Sequence, residues 1–244
     1  MRTSVRLATA LAGVLVGAVG CGAPSSAPGP VPHASARPEE QVSAMCGDYA
    51  AASVAREQIV TGSGPRVVVI GDSWATGYGL DDPAMSWPRY LSGEIHVAAF
   101  NGTGYDERTQ RGCGPLSFGD RTPGALKGGA DLVVLEGGIN DANWPLPEVE
   151  AGFRRTLNEL KGYHVVVLSA PSVPTRAAKL VGVNQLLKRV SAEYGVTYVD
   201  VYDIKLPYQH DHVHPTLAGH REFGRIVAQR IARSGAAVDV GARG

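Results

Sequence analysis

The sequence predicts an α/β protein, a three-layer α/β/α sandwich around a five-stranded parallel sheet. Three observations predict it. Short, β-branched apolar runs recur along the chain, amphipathic helical patterns lie between and after them, and glycine or polar turn residues follow the runs. A run that is apolar at almost every position suits a strand buried on both faces, as a parallel sheet covered by helices requires. Strands alternating with helices then give layers rather than a helical bundle or a pair of packed sheets.

The five strands are expected at residues 66–70 (RVVVI), 95–100 (IHVAAF), 131–135 (DLVVL), 164–169 (HVVVLS) and 196–201 (VTYVDV). Helical spacing carries Val149, Phe153, Leu157 and Leu160 on one stripe, and Leu180, Val183, Leu187, Val190 and Tyr194 on another. A last helix is expected over 216–232, with Phe223, Ile226, Val227 and Ile231 facing inward. Residues 41–58 are expected to form a helix that docks on the domain through Cys46.

The chain of 244 residues, 44% hydrophobic, is long enough for one domain with a substantial core. Lys+Arg and Asp+Glu balance at 23 each, so the composition points to no nucleic-acid partner. Residues 1–20 read as a signal peptide, with Arg2 and Arg6 ahead of an uncharged apolar stretch at 7–19 that is short for a membrane span. Ala18-Val19-Gly20-Cys21 resembles a bacterial lipobox, although Ala18 stands where leucine is usual. That resemblance implies cleavage before Cys21, lipidation of Cys21 and attachment to the outer face of the cell membrane; plain secretion is the alternative. Residues 21–40 are rich in Pro, Ala and Ser and read as a flexible tether. Residues 41–63 form a docking segment, 64–236 the domain, and 237–244 a disordered tail. In an oxidising compartment the two remaining cysteines, Cys46 and Cys113, are expected to pair.

Four motifs stand at successive carboxyl ends of the expected strands, the edge where such sheets bind ligands. The first strand runs into Gly71-Asp72-Ser73-Trp74, placing a serine on that edge. The second ends in Asn101-Gly102-Thr103-Gly104-Tyr105, where glycines let the backbone approach a substrate. The third ends in Gly138-Ile139-Asn140-Asp141, and an asparagine there is able to donate its amide to a developing oxyanion. After the fifth comes Asp211-His212-Val213-His214-Pro215, a carboxylate and an imidazole on one loop. The carboxylate fixes one ring nitrogen while the other faces the serine. Each motif alone is also what an ordinary turn looks like; their order is the signal. His210, His212 and His214 alternate and raise a metal-binding alternative, but their Gln, Asp and Pro neighbours read as loop. His96, His164 and His220 read as strand-edge or helix-surface residues. Trp74, Tyr78, Tyr105 and Trp144 are expected near the site, and Trp87 in the core.

With these blocks in place, residues 64–233 resemble the SGNH (GDSL-type) hydrolase superfamily. The resemblance implies a flavodoxin-like fold and a serine nucleophile, Ser73, with Asp211 and His214 completing a triad. It also implies an oxyanion hole made by Ser73, Gly104 (in preference to Gly102) and Asn140, and no metal or cofactor. Trp74 departs from the family's usual leucine. The activity implied is hydrolysis of carboxylic esters, with short acyl or carbohydrate O-acetyl esters favoured because no long apolar lid segment is evident. Lipase or thioesterase action on longer chains and acyl transfer to a cell-envelope glycan remain alternatives, as does a non-catalytic binding module on the same fold.

Overall fold

The structure is a computed structural model and describes residues 38–236. The expected signal peptide, Cys21, nearly all of the tether and the 237–244 tail lie outside the described residues. Among the described residues, no helix is long and apolar enough to cross a membrane.

Among the described residues six strands form one sheet: β1 (Thr61–Ser63), β2 (Arg66–Gly71), β3 (Gly93–Ala99), β4 (Leu132–Leu135), β5 (Val165–Leu168) and β6 (Thr197–Val199). Their order is β1-β3-β2-β4-β5-β6. Neighbours from β3 to β6 pair in parallel, so the five expected strands are present in the expected sense. The sixth, β1, was not expected; it pairs antiparallel with β3. Thr-Gly-Ser has little strand preference of its own. It is extended because the outer edge of β3 offers unpaired backbone groups, and Gly62, at φ +77°, comes so close that a Cβ would lie 2.2 Å from the Gly93 carbonyl.

Period-two alternation divides the core between the two faces. Val67 and Val69 point into one cluster with Ile95, Val134 and Phe223, whereas Val68 and Ile70 point into the other with Val133, Leu135 and Phe153. Helices α4 (Leu146–Glu159) and α5 (Ala177–Tyr194) cover the second face with their expected stripes, except that Leu180 joins the first cluster, and α6 (Leu217–Arg233) covers the first face. A one-turn helix α2 (Ser73–Thr76) follows β2, and α3 (Phe118–Ala125) lies between β3 and β4. The Gly- and Pro-containing α3 segment had no helical stripe to announce it. Its start is nevertheless encoded, because Ser117 and Asp120 form a reciprocal capping box.

The expected docking helix is α1 (Pro38–Glu57), three residues longer at its start than the tether boundary implied. Pro38 suits a first helical position, and Glu39 and Glu40 favour the positive end of the helix dipole. Cys46 and Cys113 form the expected disulfide across 67 residues. The helix packs against β3, where Ser53 Oγ donates to the Ala99 carbonyl at 2.7 Å.

Candidate active site

Strand β2 delivers Ser73 to the carboxyl edge of the sheet. Asp72 caps the short α2 by accepting the Trp74 N–H at 2.9 Å, and Gly77, left-handed at φ +80°, ends it after one turn. Glycine is needed at position 71 for space rather than for backbone freedom: a Cβ there would lie 2.5 Å from Ala75 Cβ and 2.9 Å from Glu136 Oε2. Ser73 is 7% exposed, at the floor of a cleft of about 400 Å³.

The loop between β6 and α6 brings Asp211 and His214 to the same place. Gln209 N–H donates to the His214 carbonyl, and the Gln209 amide holds the Tyr78 and Pro215 carbonyls at 3.0 and 2.9 Å. Asp211 Oδ1 accepts the N–H groups of Val213 and His214, each at 2.9 Å, so the loop closes on its own carboxylate. The remaining oxygen, Oδ2, pairs with His214 Nδ1. On the far side of the ring, Nε2 stands 2.9 Å from Ser73 Oγ. With Asp211 ionised, Nδ1 holds the ring proton and Nε2 is left to accept. Burial alone would raise the Asp211 carboxyl, but the hydrogen bonds from His214 and Val213 outweigh it and hold it down at about 2.

Asn140 follows β4 and opens a turn. Its Nδ2 donates to Asp72 Oδ2 at 3.1 Å and to the Thr103 carbonyl at 2.9 Å. Its Oδ1 accepts from Arg176 Nη1 at 3.3 Å, and the same nitrogen donates to the Ile139 carbonyl at 2.9 Å. Both amide hydrogens of Asn140 are therefore directed at protein acceptors on the cleft wall. Arg176 was not anticipated: it lies in a loop after β5 with no motif around it.

Gly104 does not occupy the position expected for it. It is buried, and its N–H donates to Thr109 Oγ1 at 2.9 Å. Its lack of a side chain serves Asp141 instead, since a Cβ would lie 2.3 Å from Asp141 Oδ2. Asp141 in turn accepts the N–H groups of Tyr105 and Asp106 at 3.1 and 2.8 Å, which locks the loop after β3. Gly102, at φ +76°, is the glycine that borders the cleft, and among the described residues its N–H has no protein acceptor. Gly104, expected at the cleft, is thus tied away from it by its bond to Thr109, and Gly102 borders the cleft in its place.

Two of the expected aromatics face the cleft, Tyr78 and Trp144. Trp74 and Tyr105 are buried with Trp87 in the core. Trp74 still serves the site, donating Nε1–H to the Val213 carbonyl at 3.2 Å. His220, expected on a helix surface, is fully buried, and burial together with neighbouring His214 pushes its imidazole down to about 4. His210 and His212 are exposed, and no cluster of metal-ligating side chains exists among the described residues.

Beneath the cleft lie three buried acids, Asp72, Glu136 and Asp141. Burial pushes Asp72 up to about 7 against the pull of the Trp74 N–H. Burial and then the charge of Asp72 push Glu136 well above the carboxylate range. Burial raises Asp141 to about 6 despite the two N–H groups it accepts.

The model of the GDSL-like lipase/acylhydrolase family matches residues 69–222, from within β2 into α6. The chain belongs to that family. It is accordingly a GDSL-family hydrolase acting on esters. No curated protein sequence matches it. Solved structures of similar fold include an aryl esterase of M. smegmatis (TM-score 0.59, 16% identity, covering 69% of this chain and 99% of that one). A carbohydrate acetylesterase of Sinorhizobium meliloti is similar at TM-score 0.58 and 16% identity, over 69% of this chain and 99% of its own. A member of the lipolytic G-D-S-L family from Veillonella parvula is similar at TM-score 0.53 and 15% identity, over 69% and 96%. At these identities the likeness is one of fold.

Proposed function

We propose that this GDSL-family hydrolase is an exported serine esterase that cleaves short acyl esters, carbohydrate O-acetyl esters foremost, through an acyl-enzyme on Ser73. The unbroken row of hydrogen bonds from Asp211 through His214 to Ser73, opening onto the cleft, carries this reading. His214 Nε2 takes the Ser73 proton as Oγ attacks the ester carbonyl. The Ser73 and Gly102 N–H groups receive the oxyanion, and the Asn140 amide joins them by turning one hydrogen away from the Asp72 carboxylate or the Thr103 carbonyl. Collapse expels the alcohol, which takes its proton from His214. Water then repeats the cycle on the acyl-enzyme and releases the acid. No step calls for a metal or a cofactor.

Polar cleft walls support the substrate class. Asn101, Gln110, Asn143 and Arg176 face the space beside the Tyr78 and Trp144 rings. Such a mixture suits a hydroxyl-rich alcohol better than a long acyl chain. The similar fold of a carbohydrate acetylesterase agrees with it. The test is turnover of p-nitrophenyl acetate by the parent and by Ser73→Ala. The parent should be active and the variant at background, a loss of at least ~10⁴-fold. Activity retained by Ser73→Ala would remove Ser73 as nucleophile. Acetyl esters should outrun octanoyl esters, and a sugar acceptor should not divert the acyl group from water.

Export and the lipid anchor belong to the same proposal and rest on Arg2, Arg6, the apolar 7–19 stretch and Cys21. Acyl chains on Cys21 would add membrane affinity at ~0.8 kcal/mol per buried methylene. Intact mass of the membrane-extracted protein should show a chain beginning at acylated Cys21; an unacylated N-terminus would refute the anchor.

A further inference from the structure

Helix α1 precedes the residues that match the family model, yet it reaches the active-site cleft. Cys46, Tyr49, Ser53 and Arg56 follow one another at helical spacing and form the face of α1 turned to the domain. Each has a partner there. Cys46 is bonded to Cys113, Ser53 donates to Ala99, and Arg56 Nε donates to Ser86 Oγ at 3.1 Å. Tyr49 alone of the four opens onto the cleft.

Its ring stands edge-to-face on Tyr78 (centroids 6.0 Å, planes at 88°) and on Phe100 (6.2 Å, 83°). Tyr78 in turn lies against the His214 ring, centroids 4.6 Å apart. At 40% exposure, Tyr78 is open enough to be touched by a ligand. The other end of the disulfide, Cys113, closes the loop that carries Gly102, Thr109 and Gln110 into the lining of the same cleft. A single covalent bond thus joins two walls of the site, one turn of helix away from Tyr49.

The chemistry says which part of the substrate meets this corner. His214 must reach the leaving oxygen to return the proton, so the alcohol departs on the His214 side of Ser73. Tyr78 lies against the His214 ring, and Tyr49 extends that aromatic surface. We propose that Tyr49 and Tyr78 form the binding corner for the alcohol moiety, that it selects ring-shaped alcohols (a sugar or a phenol), and that the Cys46–Cys113 disulfide holds Tyr49 in place there. Rings offer flat C–H or π faces to an aromatic wall, which a short aliphatic alcohol lacks. Tyr49 is a specificity-determining residue on a segment outside the family core. The proposal rests on the esterase reading above.

The test holds the acyl group constant and varies the alcohol, using the full oxidised chain. Phenyl acetate and an O-acetylated methyl glucoside are compared with ethyl acetate for the parent, Tyr49→Ala, Tyr49→Phe and the double variant Cys46→Ser/Cys113→Ser. Tyr49→Ala should lose about tenfold in kcat/KM on the ring esters, chiefly through KM, with ethyl acetate changed less than about twofold. Tyr49→Phe, which keeps the ring, should restore most of the loss. The double cysteine variant should show the same selective pattern as Tyr49→Ala. Equal losses on all three esters, or none, in a Tyr49→Ala protein of parental circular dichroism would overturn the proposal. If the cysteine variant fails to fold, Tyr49→Ala and Tyr49→Phe decide alone. A parent inactive on every ester would instead sink the esterase reading, and this inference with it.

Discussion

Asn140 is held from three directions, and that fixes what its neighbours do. Arg176 Nη1 bridges Asn140 Oδ1 and the Ile139 carbonyl, so the guanidinium sets the amide plane without providing a nucleophile or a proton. Arg176→Ala should lower kcat by about tenfold with KM little changed, a fraction of the ~10²–10³ loss seen when an oxyanion donor itself is removed. Arg176→Lys should restore part of the loss, because one nitrogen, Nη1, makes both contacts and an ammonium has donors enough for the same two acceptors. Steady-state kinetics on p-nitrophenyl acetate separate these outcomes, and an unchanged kcat would show that Asn140 needs no such support. At this scale the sequence is informative where the chemistry is compact. Asp211 and His214 share one loop, and Ser73 sits in a recognisable turn. Arg176 and Tyr49 are isolated residues far along the chain, and Gly104 differs from Gly102 only through the course of a loop pinned by Asp141.

At the scale of elements, α1 is fastened by one covalent bond and a few polar contacts rather than by a long apolar stripe. Its buried residues are Ser53 and Arg56, and Val42 and Val54 are exposed. Little hydrophobic burial holds it. The Cys46–Cys113 bond closes a 67-residue loop, for which loop entropy gives an upper figure of ~4 kcal/mol. Cys46→Ser/Cys113→Ser should therefore unfold at clearly lower denaturant, and amide exchange over 38–57 should quicken more than over β2 and β4. Uniform protection across α1 and the sheet in that variant would show that the helix needs no clamp. Strands β2 to β6 and helices α4 to α6 were legible because apolar periodicity is a local property of the chain. Strand β1 and the start of α1 were not, since the first exists only by pairing with β3 and the second takes Pro38, Glu39 and Glu40 from a stretch whose composition reads as tether.

At the scale of the whole molecule, buried acids beneath the cleft make stability depend on pH in an unusual sense. A glutamate ionises near 4.3 when unfolded. In the folded chain burial keeps Glu136 protonated well above that. The folded state then holds a proton that the unfolded state has lost, so its stabilising contribution is full below about pH 4 and declines as pH rises toward the folded value. Asp72, raised to about 7, and Asp141, raised to about 6, add slopes of the same sign between pH 4 and 7. Each uncompensated proton is worth ~1.4 kcal/mol per pH unit. Unfolding free energy should fall between pH 5.5 and 8, and Glu136→Gln, which keeps shape and neutrality, should fall less steeply. Parallel pH profiles for parent and variant would mean that Glu136 is ionised in the folded protein. Asp211, held down at about 2, works in the opposite sense: its contribution is present above pH 4 and lost only as pH drops toward 2.

The sequence by itself determined the layered α/β architecture, the five parallel strands, the disulfide pair and the residues of the serine–histidine–aspartate row. The architecture, the strands and the cysteine pairing follow from periodicity and composition, and the serine, histidine and aspartate from motifs whose order along the chain resembles the GDSL family, although Ser73 and His214 stand 141 residues apart. Only the tertiary structure decided which glycine borders the cleft, that Arg176 steadies Asn140, that Asp72, Glu136 and Asp141 are all fully buried, and that Tyr49 stands beside Tyr78. Those relations join residues from different elements, and their distances depend on how strands, loops and helices pack, which no local pattern records.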